Sequence, residues 1–137
     1  MSKEKIIGII PARFGSTRLH AKPLIDLCGK TMIQRVYEGA MTSRYLDKII
    51  VATDDESIVV AVRKFGGDAV MTPISLTSGT ERVAHVAKIF PNAEIVVNIQ
   101  GDEPLLRGEM IDETIHPLLN DTSFRSEEHT SELQSRF

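Results

Sequence analysis

The chain has a single cysteine, Cys28, and no tryptophan among its 137 residues. One thiol excludes an intrachain disulfide, so the fold cannot be a small disulfide-stapled scaffold. No excess of positive charge is present: 16 Lys and Arg stand against 19 Asp and Glu, a net charge of −3, which excludes a basic nucleic-acid-binding arm. The longest apolar runs, Ile6 to Ala12 and Ile95 to Ile99, fall far short of the roughly 20 residues that cross a bilayer. The start, Met1-Ser2-Lys3-Glu4-Lys5, carries no signal-peptide pattern, and with the lone thiol it points to the cytoplasm. Asn120-Asp121-Thr122 spells a glycosylation sequon, which has no meaning in a chain that is not secreted.

What is present is ordinary globular composition, 42% hydrophobic and 26% charged, enough for one domain with one core. Short β-branched runs alternate with amphipathic ones, the pattern of βαβ units around a mainly parallel sheet with flanking helices, an α/β fold. Strands are expected over residues 5–11, 48–53, 68–72 and 94–100, and helices over residues 32–43, 56–65, 80–90 and from Met110 to Leu119, where Pro117 should kink or end the last one. Residues 12–29 read as a long irregular loop. Beyond Phe124 the chain turns polar, Arg125-Ser126-Glu127-Glu128-His129-Thr130-Ser131-Glu132-Leu133-Gln134-Ser135, with one aliphatic residue and no face to bury. That string looks like the translation of a common short-read sequencing adapter. Residues 125–137 are therefore set apart as a non-native tail, and residues 1–124 as the N-terminal part of a truncated domain.

In an open α/β sheet, ligands sit outside the carboxyl ends of the strands, so the loops leaving each strand are where chemistry is sought. The first, from Pro11 to Leu24, holds Arg13, Arg18 and Lys22 among Gly15, Ser16 and Thr17 and has no acidic residue. Two guanidinium forks, an ammonium, hydroxyls and backbone amides make a cradle for a polyanion. Two familiar phosphate loops are absent. The dinucleotide fingerprint fails because Gly8 lies within the strand and Gly15 stands alone; Gly29-Lys30-Thr31 imitates the end of a Walker A loop, but the required first glycine falls at Leu24. Gly29-Lys30 reads instead as a turn before the helix at Met32.

After the fourth strand comes Gln100-Gly101-Asp102-Glu103-Pro104, which aims Asp102 into the same crevice. A carboxylate beside a phosphate cradle repels the ligand unless a hard cation bridges them, so Asp102 reads as a Mg²⁺ ligand, while Glu103 reads as a turn or helix-start residue. Thr77-Ser78-Gly79-Thr80-Glu81-Arg82 has capping-box spacing from Ser78 to Glu81, and its glycine would let a base or ribose lie near the backbone. Asp54 and Asp55 read as N-caps of the following helix. Among the histidines, His85, His116 and His129 carry no metal spacing; only His20 lies where a ligand could touch it.

Taken together, IIPARFGSTRLHAKPL, VATDDE, TSGTER and NIQGDEP resemble, in order from about Lys5 to about Leu119, the 3-deoxy-manno-octulosonate (KDO) cytidylyltransferases, or CMP-KDO synthetases. Acylneuraminate cytidylyltransferases share the basic first loop but carry a Gln-Pro-Thr-type segment where this chain has Gln100 to Pro104. The resemblance implies a Rossmann-like nucleotidyltransferase fold and a Mg²⁺-dependent transfer of CMP from CTP to KDO, releasing pyrophosphate, for lipopolysaccharide assembly. It implies Arg13, Arg18 and Lys22 as catalytic cations, and CTP contacts from Ala12, Arg13, Ser16, Thr17, Arg18, Lys22, Ser78, Gly79, Arg82 and Gln100. It also implies Asp102 as metal ligand and a homodimer for the full-length protein. Where the family has Arg-Leu-Pro-Gly-Lys, this chain has Arg18-Leu19-His20-Ala21-Lys22. The second metal carboxylate and most KDO contacts belong to a C-terminal half not found here. The other readings are a cytidylyltransferase for another sugar acid, or a non-catalytic nucleotide-binding domain.

Overall fold

A computed structural model describes residues 5–13 and 22–119, with residues 131–134 as backbone. The run of isoleucines at the start forms β1 (Ile6–Ala12), buried on both faces as a central parallel strand must be. After a single 3-10 turn at Lys22–Leu24, a two-residue hairpin pairs β2 (Asp26–Leu27) with β3 (Lys30–Thr31). Its turn places Cys28 at φ 57° and Gly29 at φ 95°, the left-handed pair that such a hairpin needs. Thr31 then caps α1 (Met32–Met41) by accepting the Gln34 N–H at 3.2 Å. The Gly29-Lys30 turn is thus where the sequence puts it, inside a hairpin that the pattern alone does not reveal.

The remaining units alternate. They are β4 (Lys48–Thr53), α2 (Glu56–Lys64), β5 (Ala69–Met71), α3 (Gly79–Ala87), β6 (Ile95–Asn98) and α4 (Gly108–Leu119). Each strand and helix expected from periodicity is present, with ends displaced by a few residues. Pro117 does not end α4, which runs two residues further; so near the C-terminus the missing amide removes only one backbone bond. A last strand, β7 (Ser131–Gln134), pairs in parallel with β6 from Ile95↔Ser131 to Asn98↔Gln134. The composition gave no strand there. A sheet edge bonds through its main chain, so a polar, proline-free segment can satisfy it. The rest of 125–137 lies outside the described residues.

The strand order is β5-β4-β1-β6-β7, with every pairing parallel. Alternation along the strands divides the core. Ile10, Val51, Val97 and Ile99 face α1, α2 and α4, whereas Ile7, Ile9, Ala52 and Val96 pack with Val83 and Val86 of α3. Chain leaving β1 moves to β4 on one side, while β6 lies on the other, so β1 and β6 flank the topological switch point.

Candidate functional site

Three of the motifs meet at that switch point, around Pro11 at the end of β1. Main-chain pairing continues past β6, with the Ile99 N–H donating to Ile9 O at 2.9 Å, and this delivers Gln100, Gly101 and Asp102 beside the exit of β1. A Cβ on Gly101 would stand 3.1 Å from the Pro11 carbonyl oxygen, and one on Gly79 would stand 3.3 Å from Pro11 Cγ. Both glycines therefore serve close backbone approach, and they keep this edge of the sheet bare of side chains.

From the first loop, Ala12 is buried and Arg13 is exposed. Arg13 Nη1 donates to the Thr77 carbonyl at 3.4 Å, tying the loop after β1 to the segment before α3. Lys22, opening the 3-10 turn, brings its Nζ to 3.7 Å from Asp102 Oδ2; the two side chains are 42% and 54% exposed, so the pair is open to solvent and to a ligand. Ser16, Thr17, Arg18 and His20 lie outside the described residues. Gln100 is half-buried beside Gly101.

The α3 end is built by its own first turn. Ser78 Oγ accepts the Glu81 N–H at 3.0 Å, as the capping spacing requires. The Glu81 carboxylate accepts from the Thr77 N–H at 2.8 Å and the Thr77 hydroxyl at 3.1 Å, and these bonds hold its pKa below the ordinary 4.5. Arg82, expected among the nucleotide contacts, is wholly buried. Its guanidinium is engaged by the Thr72 hydroxyl, by the carbonyls of Pro73 (3.3 Å) and Leu76 (3.0 Å), and by Asp54 Oδ2 at 3.6 Å. Burial lowers its pKa, Asp54 opposes this, and nearby Arg13 adds to the lowering.

Asp54 corrects an expectation. Only Asp55 caps α2, taking the Ser57 N–H at 2.7 Å, and Asp54 turns to Arg82. Two adjacent acids compete for one capping position, and that was the available signal that one of them had another partner. Nothing in the sequence pointed to the Thr77 carbonyl, because a backbone acceptor has no signature.

No cluster of three metal-ligating side chains occurs among the described residues. Asp102 nonetheless suits a hard cation that takes one or two carboxylates and completes its shell with phosphate oxygens and water. The arrangement offers cations, bare backbone and one carboxylate around a single crevice, the requirements of a nucleotide phosphate chain.

Comparison with known proteins agrees. A family model described as cytidylyltransferase matches residues 7–136. The chain is 54% identical over 113 residues to a 3-deoxy-manno-octulosonate cytidylyltransferase of Chlamydia pneumoniae, covering 82% of this chain and 44% of that protein. Against the enzyme of the same name from Geotalea daltonii the identity is 52% over 119 residues, covering 87% and 47%. Among solved structures, a CMP:2-keto-3-deoxy-manno-octonic acid synthetase complexed with CTP superposes with a TM-score of 0.83 at 42% identity, over 87% of this chain and 49% of the other. A cytidylyltransferase from Leptospira borgpetersenii gives 0.72 at 27% identity, over 85% and 50%. The chain spans about half the length of the curated relatives it matches. With the parallel sheet, its crevice and these matches together, the chain belongs to the cytidylyltransferase family.

Proposed function

We propose that this chain carries the CTP-binding part of an enzyme that transfers CMP from CTP to KDO and releases pyrophosphate. The observation that carries it is the convergence of Arg13, Lys22, Gly79, Gly101 and Asp102 around the end of β1, in a chain whose relatives bear that activity in their names. In this assignment Arg13 and Lys22, with Ser16, Thr17 and Arg18, hold the triphosphate. Ala12, Ser78, Gly79 and Gln100 belong to the nucleoside side. Asp102 would hold Mg²⁺, which when bound neutralises charge on the phosphates. The chain's own contribution is orientation and electrostatic stabilisation. Arg13 and Lys22 are set to accept the charge that develops on departing pyrophosphate, so no covalent intermediate on the protein is needed. Lys22 already stands next to Asp102, and a phosphate entering between them would exchange an exposed ion pair, itself worth about 0–1 kcal/mol, for charge-assisted bonds.

The wider assignment is a cytoplasmic enzyme of lipopolysaccharide biosynthesis that works as a homodimer. Among the described residues no helix is long and apolar enough to cross a membrane. The test begins with pyrophosphate release from CTP, UTP, ATP and GTP in the presence of KDO and Mg²⁺, using residues 1–124 continued by the C-terminal half of a relative. A strong CTP preference is expected, since a site built to pair with one base edge leaves its own donors unsatisfied by another. Equal rates would exclude the assignment. The 137-residue chain alone is expected to show no measurable turnover, because orientation of two substrates supplies roughly 7–11 kcal/mol of such a barrier and half a site forfeits much of it.

A further inference from the structure

An arginine without exposed surface is expensive to bury, and a hydrophobic side chain of similar volume would usually serve packing as well or better. Arg82 is such a residue, on the first turn of α3. Its acceptors are not scattered. Thr72, Pro73 and Leu76 all lie in the connection from β5 to α3, and Asp54 lies at the exit of β4. One rigid fork thus grips the carbonyls at both ends of Pro73-Ile74-Ser75-Leu76 and folds that connection back against the helix. The price is visible at Nε, which is buried without a partner.

The next residue is Thr77. Glu81, adjacent to Arg82 in the chain, takes the Thr77 N–H and hydroxyl. Residue 77 is therefore fixed from the Leu76 side by Arg82 and from its own amide by Glu81. The polar backbone group that remains, the Thr77 carbonyl, receives Arg13. A chain of contacts runs from the buried guanidinium to the exposed one.

Resting on the assignment of the crevice as a nucleotide site, we propose that Arg82 is a positioning residue: it touches no ligand, and by shaping the 72–77 connection it sets the Thr77 carbonyl that aims Arg13 at the phosphates. Arg82→Lys is the informative change, since an ammonium keeps the charge beside Asp54 but cannot span two carbonyls as a planar fork does.

Two readouts on the 137-residue chain decide it. Without nucleotide, amide hydrogen exchange at Leu76 and Thr77 in Arg82→Lys should be about tenfold faster, with Ile9 and Val51 in the central strands unchanged. With CTP and Mg²⁺, calorimetry should give roughly tenfold weaker binding for Arg82→Lys, and less than about twofold further loss when the same change is made in Arg13→Ala, because Arg82 acts through Arg13. Unchanged loop amides, or equal losses in both backgrounds, would overturn the positioning role while leaving the nucleotide site standing. Absence of CTP binding by the unaltered chain would overturn the site and this role together. Should Arg82→Lys unfold, seen as fast exchange at Ile9 and Val51, Thr72→Val removes one acceptor without stranding a charge and is held to the same pattern at smaller amplitude, with the same results overturning it.

Discussion

The two ends of the sheet use the same kinds of charge for opposite purposes. At the amino edge Asp47 Oδ2 accepts the N–H groups of both Lys5 and Ile6 at 3.0 Å, Lys5 Nζ lies 3.5 Å from Glu94, and Lys48 lies 3.1 Å from Asp68. These charges are used up by the chain itself. At the carboxyl edge Lys22 and Asp102 stand 3.7 Å apart and Arg13 reaches a carbonyl at 3.4 Å, beside a patch of backbone that Gly79 and Gly101 keep clear. Charges beside clear backbone can exchange partners with a ligand, whereas Asp47, holding two strand-start amides at once, is committed to the chain. Under the proposed function, stability and chemistry are thereby assigned to opposite ends of the same strands.

The sharpest way to break that contrast is to neutralise one acid at each end. Asp102→Asn, made in a version extended by a relative's C-terminal half, should lower turnover about 100-fold or more, because in the proposed assignment the charge it loses faces the reacting phosphates. Its unfolding free energy by urea titration should stay within about 0.5 kcal/mol of the parent's, as for most exposed substitutions. Wild-type turnover at low Mg²⁺ would remove Asp102 from the metal site. Asp47→Ala should do the reverse. Stranding two strand-start amides costs about 1–3 kcal/mol by urea titration, with CTP affinity unchanged. A finer change is Gly101→Ala, whose new methyl must press on the Pro11 carbonyl from 3.1 Å. A displacement of a few tenths of an ångström there should weaken CTP binding about fivefold, with global stability barely moved. A loss of stability with intact binding would mean that this close approach serves the core.

The fold was legible because its determinants are local and repetitive. Isoleucine runs announced β1 and β4, helical spacing announced α1 and α3, and the crevice followed from where such strands end. Of the residues expected at the crevice, Arg13 and Asp102 follow strand ends and Lys22 opens the turn after β1, and the structure brings the three to one edge of the sheet. What escaped were contacts made across the fold. Arg82 is separated from its site by a loop of backbone acceptors, and its buried role cannot be told from that of an exposed arginine in the same motif. The β2–β3 hairpin was hidden because its strands are two residues long and its turn begins at Cys28, a residue seldom found in a left-handed conformation. The strand at residues 131–134 came from an open edge rather than from composition, which is the one determinant a pattern search does not see.

The smallest expected effect is a titration at the carboxyl edge. Glu81 is fully exposed, and the Thr77 N–H and hydroxyl hold its pKa below 4.5 in the folded chain. A depressed carboxylate contributes its stabilisation above the unfolded value and loses it as pH falls through the folded one, so the Thr77 tie should loosen only below pH 4.5. The exposed bond is too weak to register in global unfolding. It should appear in the Thr77 amide proton shift, titrating with a midpoint under 4.5 in the parent chain and losing that step in Glu81→Gln, while Ile9 and Val51 stay flat. Because Thr77 carries the acceptor for Arg13, the parent's CTP affinity measured below that midpoint should also fall relative to pH 7 by more than that of Glu81→Gln. A Thr77 midpoint at or above 4.5, or one indifferent to Glu81→Gln, would mean that this carboxylate does not hold the loop, and that the firmness of the carboxyl edge comes from the buried guanidinium alone.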